Sequence, residues 1–219
     1  MIHVVSGANR HLYEERLEEL YRLRHDIFVD ERDWRDLAKP DAREIDAYDN
    51  EDTIYCIAIE DGRIVGGHRL YPTIKPTMLG EIFPHLAAVC GVPSDIAIWE
   101  WSRYFIVKDK RDGALNYALM AAVQELCLDE GISEVSAVME TWWLPRFQQA
   151  GFDVRPLGLP ALVNNEWTMA GLIEISEGAL RKLRNKSGIQ GPVLVRDGPR
   201  RPLIDRPDAM RIAAVGVGV

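Results

Sequence analysis

Ala97-Ile98-Trp99-Glu100-Trp101-Ser102-Arg103-Tyr104-Phe105-Ile106-Val107 is a run of aromatic and branched residues broken by two ionisable side chains, Glu100 and Arg103. Such a composition predicts a β-strand. In a regular strand Glu100 and Arg103 have opposite parity and face opposite ways. A β-bulge between them would turn both into one cleft, whereas without one each would need its own structural ion pair.

Working outward, Gly113-Ala114 opens an apolar helix over about 114–130 that Gly131 ends. Upstream, Thr53 to Glu60 and Arg63 to Tyr71 flank Asp61-Gly62 and read as a hairpin with a two-residue turn. Downstream come a strand over 132–139, a short helix over 142–150 stopped by Gly151, strands over 152–157 and 166–175, and a last helix over 177–184. Near the N-terminus, Leu17, Leu20, Leu23 and Ile27 recur at helical spacing over 13–28, with Arg24 at the margin of their face. Residues 30–52 have no period and predict a long loop. The order of elements predicts an α+β fold, a mixed sheet in a three-layer α/β/α sandwich, over residues 1–185. After Lys186 the chain carries Gly188, Gly191, Pro192, Gly198, Pro199, Pro202 and Pro207, which predicts an extended or mobile basic tail over 186–219.

The 219 residues hold 26 Lys/Arg and 34 Asp/Glu, a net charge of −8, and are 47% hydrophobic, enough to bury a core. The imbalance is local: residues 1–60 carry 16 acidic against 8 basic side chains, and 181–211 carry 9 basic against 3 acidic. An anionic chain whose basic tail lacks aromatic residues is not built for nucleic acid. No apolar run approaches a membrane span, and the first residues lack the pattern of a secretory signal, so a cytoplasmic protein without membrane partners is expected. Cys56, Cys90 and Cys127 have neither disulfide-framework nor zinc-ligand spacing, and the five histidines form no metal motif, so no metal is expected.

Candidate chemistry gathers in ionisable residues. Glu44-Ile45-Asp46-Ala47-Tyr48-Asp49 places Asp46 and Asp49 three apart in the long loop. With Arg24, Arg69, Arg103 and Glu100 they could converge on a zwitterion that has both an amine and a carboxylate. Lys108, Lys110 and Arg111 lie in the turn before a helix start, which suits phosphate but fits a basic surface turn equally well.

The pattern resembles the acyl-homoserine-lactone synthases, the autoinducer synthases of bacterial quorum sensing, over roughly residues 1–185. The likeness rests on Arg24 and Phe28 in RLRHDIF, Trp34, Asp46 and Asp49 in EIDAYD, Arg69 in GGHRLYPT, and Glu100 and Arg103 in WEWSRYF. It implies a fold similar to the Gcn5-related N-acetyltransferases and a transferase that joins an acyl thioester to S-adenosylmethionine, forms the amide, closes the lactone and releases methylthioadenosine. Under that resemblance Arg24, Phe28, Trp34, Asp46, Asp49, Arg69 and Arg103 bind S-adenosylmethionine, with Arg24 and Arg103 either holding its carboxylate or buttressing the two aspartates. Glu100 is the general base, acting through a water, and the backbone near Phe105 polarises the thioester. Trp101, Thr141, Trp142 and Trp143, with Lys108, Lys110 and Arg111, are the acyl and CoA candidates. If a tryptophan of the 142–143 pair lines the acyl tunnel rather than the core, the acyl group is a branched short chain or an aryl group. The acidic surface favours acyl-CoA over an acidic acyl-carrier protein. No cofactor is implied. An ordinary acyl-CoA N-acyltransferase of the same fold, or an idle nucleotide-binding module, are the competing readings.

Overall fold

The computed structural model describes residues 1–111 and 113–204. Asp112, in the expected phosphate turn, and the tail beyond Ile204 lie outside the described residues. Nine strands form one sheet in the order β6-β8-β5-β4-β3-β2-β1-β9, with β7 (Ala161–Val163) paired to β8 (Glu166–Glu174). The remaining strands are β1 (Ile2–Val5), β2 (Ile54–Glu60), β3 (Arg63–Pro72), β4 (Ile98–Ile106), β5 (Glu134–Glu140), β6 (Val154–Pro156) and β9 (Leu194–Val195). All neighbours are antiparallel except β4 with β5 and β1 with β9.

The β2–β3 hairpin turns through Asp61 and Gly62 at φ 49° and 76°, the left-handed pair that a type I′ turn demands. A second such turn, Asn164-Asn165 at φ 49° and 64°, makes the β7–β8 hairpin, which the sequence reading overlooked. Asparagine tolerates this conformation nearly as glycine does. The short β1 and β9 were also overlooked, because two to four residues are too few to show a period.

Consecutive β3 residues point to opposite faces and so define the two outer layers. On one face a Cβ at Gly66 would stand 2.9 Å from the Leu119 side chain, so α3 (Leu115–Glu130) packs directly on the backbone there. On the other face Arg69 reaches the 44–49 loop behind α1 (Glu14–Arg24). Residues 118–127 of α3 are all buried, because α5 (Glu177–Ser187) covers the side of α3 away from the sheet. This accounts for its nearly unbroken apolar sequence. No helix among the described residues is long and apolar enough to cross a membrane.

One expectation is corrected. The first helix leaves α geometry at Arg24 and continues as a π-helical turn, His25–Glu31, which places Arg24 at 1% exposure rather than at the margin. The described part of the tail is extended and packs against the body. Val193 and Ile204 join the main core, β9 pairs with β1, and Arg196 binds Asp129 and Glu130. Buried Glu125 accepts the backbone N–H groups of Val193 and Leu194. Residues after 185 thus contribute to the core.

Candidate active site

Strands β4 and β5 pair only from Ile98–Glu100 with Glu134–Ser136 and then part. Just beyond, the β3–β4 register shifts between Gly67 and Arg69, so that Arg103 and Tyr104 together oppose His68, and Arg103 takes φ 53°. This is a bulge, the first of the two arrangements that the opposite parity of Glu100 and Arg103 left open. It turns the Arg103 side chain onto the face already used by Arg69, Glu100 and Ser102, while the backbone veers from β5. A cavity of about 420 Å³ fills the gap, lined among others by Phe28, Trp34, Met78, Trp101, Arg103, Tyr104, Met139, Trp143 and Phe147.

At one end lie three guanidinium groups and three carboxylates. Arg24 donates to both oxygens of Asp49 at 2.8 and 2.9 Å and to Glu44 at 2.6 Å. Arg69 donates to both oxygens of Asp46 at 2.5 and 3.0 Å, and from Nε to Ser102 Oγ at 3.1 Å. Arg103 bridges Glu44 at 2.9 Å and Asp46 at 2.8 Å. Charges out of water must be paired to this degree. Burial by itself would raise Asp49 and Glu44, but Arg24 with Arg69 holds Asp49, and Arg24 with Arg103 holds Glu44, below the ordinary carboxylate range. Only Asp46, 19% exposed, and Arg103, 8% exposed, show solvent more than a trace of side chain. Arg24 and Arg69 thus spend their donors on Asp49, Glu44, Asp46 and Ser102, and neither lines the cavity. Glu44 was overlooked as a site residue, because Asp46, Asp49 and Glu100 already matched the three arginines in number and the count called for no further carboxylate.

Glu100 is buried behind the cavity wall. Its carboxylate accepts the backbone N–H groups of Met78 at 3.1 Å and Leu79 at 2.8 Å, at the start of the short α2 (Met78–Glu81). Burial raises its pKa, and the two N–H donors and Arg69 only partly offset this. A carboxyl held in place and kept more basic than usual is suited to taking a proton. Phe28 and Trp34 stack at 5.2 Å, with the Arg32 guanidinium 5.7 and 5.5 Å from their ring centres. Arg32 also pairs with Glu140 at 3.4 Å, so it links this aromatic wall to the end of β5.

The opposite end is aromatic. Trp101 meets Tyr104 and Phe147 at ring separations of 5.6 Å, and Trp143 meets the same two rings at 5.5 Å. His68, buried beside Trp101 and Tyr104, is pushed down to about 3 by burial and stays neutral. Of the expected acyl residues, Trp101 and Trp143 line the cavity. Trp142 lies outside its lining, and Thr141 spends its backbone N–H on Trp167 O at 2.8 Å. Phe105 is buried edge-on to Phe28. Lys110 and Arg111 pair with Glu60 and Glu31, and Lys108 is exposed, all outside the cavity lining. The structure thus brings the ionisable candidates together and leaves the three basic residues of the turn apart.

The fold is similar to that of an acyl-CoA N-acyltransferase from Pseudomonas aeruginosa, matched at TM-score 0.58 with 17% identity over 78% of this chain and 97% of that one. The autoinducer synthase sequence profile matches residues 8–183. An isovaleryl-homoserine lactone synthase from Bradyrhizobium diazoefficiens is 61% identical over 98% of this chain and 97% of its own length. The solved structure of BjaI, a CoA-dependent acyl-homoserine lactone synthase, with SAM and isopentyl-CoA, superposes at TM-score 0.91 with 62% identity, covering 93% of this chain and 96% of that one. The chain belongs to the autoinducer synthase family: it is an acyltransferase, an acyl-homoserine-lactone synthase.

Proposed function

We propose that this enzyme transfers a branched short-chain acyl group from acyl-CoA to the amine of S-adenosylmethionine and then closes the lactone with release of methylthioadenosine. The observation that carries the reading is one cavity whose lining runs from Arg103, the member of the charge cluster that reaches it, to Trp101 and Trp143 beside the gap between β4 and β5. Its relatives support the same choice of donor, since one of them makes isovaleryl-homoserine lactone and BjaI is CoA-dependent.

In this reading Asp46 receives the substrate ammonium and Arg103 its carboxylate, the two members of the network that reach solvent. Arg24, Arg69, Glu44 and Asp49 hold them in place. Phe28 and Trp34 wall the sulfonium side. Glu100, reached through a water because it lies behind the wall, takes the amine proton, so that the nitrogen lone pair attacks the thioester carbon. Backbone N–H groups of the bulge beside Phe105 face the developing oxyanion. The carbon–sulfur bond breaks, and CoA leaves as a thiolate and takes up a proton. A carboxylate oxygen then displaces the sulfonium at the chain carbon, and neutral methylthioadenosine departs. Proximity supplies that second step. Neither step changes an oxidation state or calls for a metal. The CoA phosphates would lie along the turn from Lys108 to Ala114, where Lys110 and Arg111 would exchange Glu60 and Glu31 for phosphate.

The test is mass spectrometry of products from S-adenosylmethionine with straight, branched and aryl acyl-CoAs, and with the same acyl groups on acyl-carrier protein. A branched acyl-homoserine lactone with equimolar methylthioadenosine, formed fastest from CoA, is expected. An open acyl product without methylthioadenosine, or turnover restricted to carrier protein, would overturn the corresponding half of the reading.

A further inference from the structure

Two residues outside the cavity lining are arranged around one that lines it. Trp143 is the first residue of α4 (Trp143–Ala150), and one side of its indole faces the cavity. From the inside it is held by Phe147, one helical turn on, stacked at 5.5 Å and 24°, and by Tyr104 edge-on at 5.5 Å. From the outside Trp142 stacks on it at 4.8 Å and 26°. The Arg146 guanidinium, one turn after Trp142, lies 4.4 Å from the Trp142 ring and 5.5 Å from the Trp143 ring. Trp142 is 41% exposed, and its contact with the cavity is made only through Trp143. Among the described residues no carboxylate lies within ion-pair distance of Arg146, so its charge is directed at the two rings.

Resting on the proposed acyl-CoA reaction, we infer that Trp142 and Arg146 are positioning residues for acyl-chain length: they clamp the Trp143 indole in the orientation that closes the aromatic end of the cavity. The physical case is one of rotamers. An indole at a helix start has little helix on its N-terminal side to restrict it, and it can swing about χ1 unless neighbours occupy the alternative wells. The inner contacts alone leave the outward swing open, and the Trp142 ring blocks it. Arg146 fixes that ring in turn through an interaction worth about 0.5–2 kcal/mol. With the clamp in place the pocket ends at Trp143 and fits a short branched chain. Without it the indole turns out and a longer chain is admitted. Neither clamp residue needs to touch the substrate.

The test is the ratio of kcat/KM for octanoyl-CoA to that for isovaleryl-CoA in the full-length enzyme, with KM for S-adenosylmethionine and methylthioadenosine per lactone measured alongside. Trp142→Ala should raise the ratio about tenfold and Arg146→Ala about fivefold, as the loss of one stacking or cation–π contact implies. Arg146→Lys should stay near wild type, and the S-adenosylmethionine KM should not move. Both sites are exposed, so the variants should keep the wild-type Tm to within a few degrees. Trp143→Ala, which removes the wall itself, serves as the positive control. If Trp143→Ala shifts the ratio and the two clamp variants do not, the inference fails. It also fails if the KM values of all acyl-CoAs rise together, which would make Trp142 a contact for the CoA portion. A wild-type enzyme that forms no lactone from any acyl-CoA would instead remove the proposed reaction.

Discussion

Around Asp46 and Asp49 the chain sets three guanidinium groups against three carboxylates, whereas at the far end of the same cavity it sets Trp101, Tyr104, Trp143 and Phe147 against one another. The first region is held by directional bonds between buried charges, and its four fully buried members, Arg24, Arg69, Glu44 and Asp49, have partners that water cannot replace. The second is held by contact area, which deforms gradually. Loss of one charge should therefore cost the fold, and loss of one ring should change which substrate fits.

The comparison breaks first if Asp49 can be removed cheaply. Asp49→Ala strips both Arg24 and Arg69 of an ion-pair partner and Tyr55 of its acceptor, and should cost about 3–5 kcal/mol. Urea denaturation will show it, and a loss below 1 kcal/mol would mean that the network is not what orders the loop. Next comes Glu100→Gln, expected to lower kcat about a hundredfold or more, the scale of a general base, while calorimetry shows S-adenosylmethionine binding within a few-fold of wild type. Because burial raises the Glu100 pKa, the acid limb of kcat/KM should lie above the usual carboxylate range and vanish in this variant.

Truncation after Lys186 probes a third region and should have a smaller effect on stability, about 2–4 kcal/mol, from exposing the core around Val193 and Ile204. The body beside the cavity is untouched, so remaining folded enzyme should keep its KM values. A thermal melt identical to that of the full chain would show that the docked tail adds nothing. The gentlest test is pH. Glu44 and Asp49 have pKa values below their ordinary 4.5 and 3.8, so the folded state binds these protons less readily than the unfolded chain. Their stabilisation is complete above the ordinary values and is lost as pH falls through the lowered ones. Denaturant titrations between pH 7 and 5 should therefore be flat in this contribution, with the decline confined to more acid solution.

Much of the charged region was legible in the sequence, because buried charge must be matched and so leaves a countable trace. Arg24, Asp46, Asp49, Arg69, Glu100 and Arg103 could be collected before any coordinates, and the mixed parity of WEWSRYF required a bulge or two separate ion pairs. The aromatic region left no such trace. Trp142 and Trp143 are neighbours of the same type, and nothing in their order says which lines a cavity and which backs it. The basic turn at Lys108, Lys110 and Arg111 was equally mute, since its partners Glu60 and Glu31 come from distant parts of the chain.

By itself the sequence determined what depends on local chemistry: the hairpin at Asp61-Gly62, the helix ended by Gly131, and the need for the ionisable residues to find one another. Tertiary structure alone decided what depends on divergence and packing. The parting of β4 from β5 opens the cavity, the π-turn after Arg24 buries that arginine, and β9 fastens the tail through a Glu125 carboxylate on α3. Local preferences are set within a few residues, whereas a gap between strands exists only once both are placed, so no single stretch of sequence can encode it.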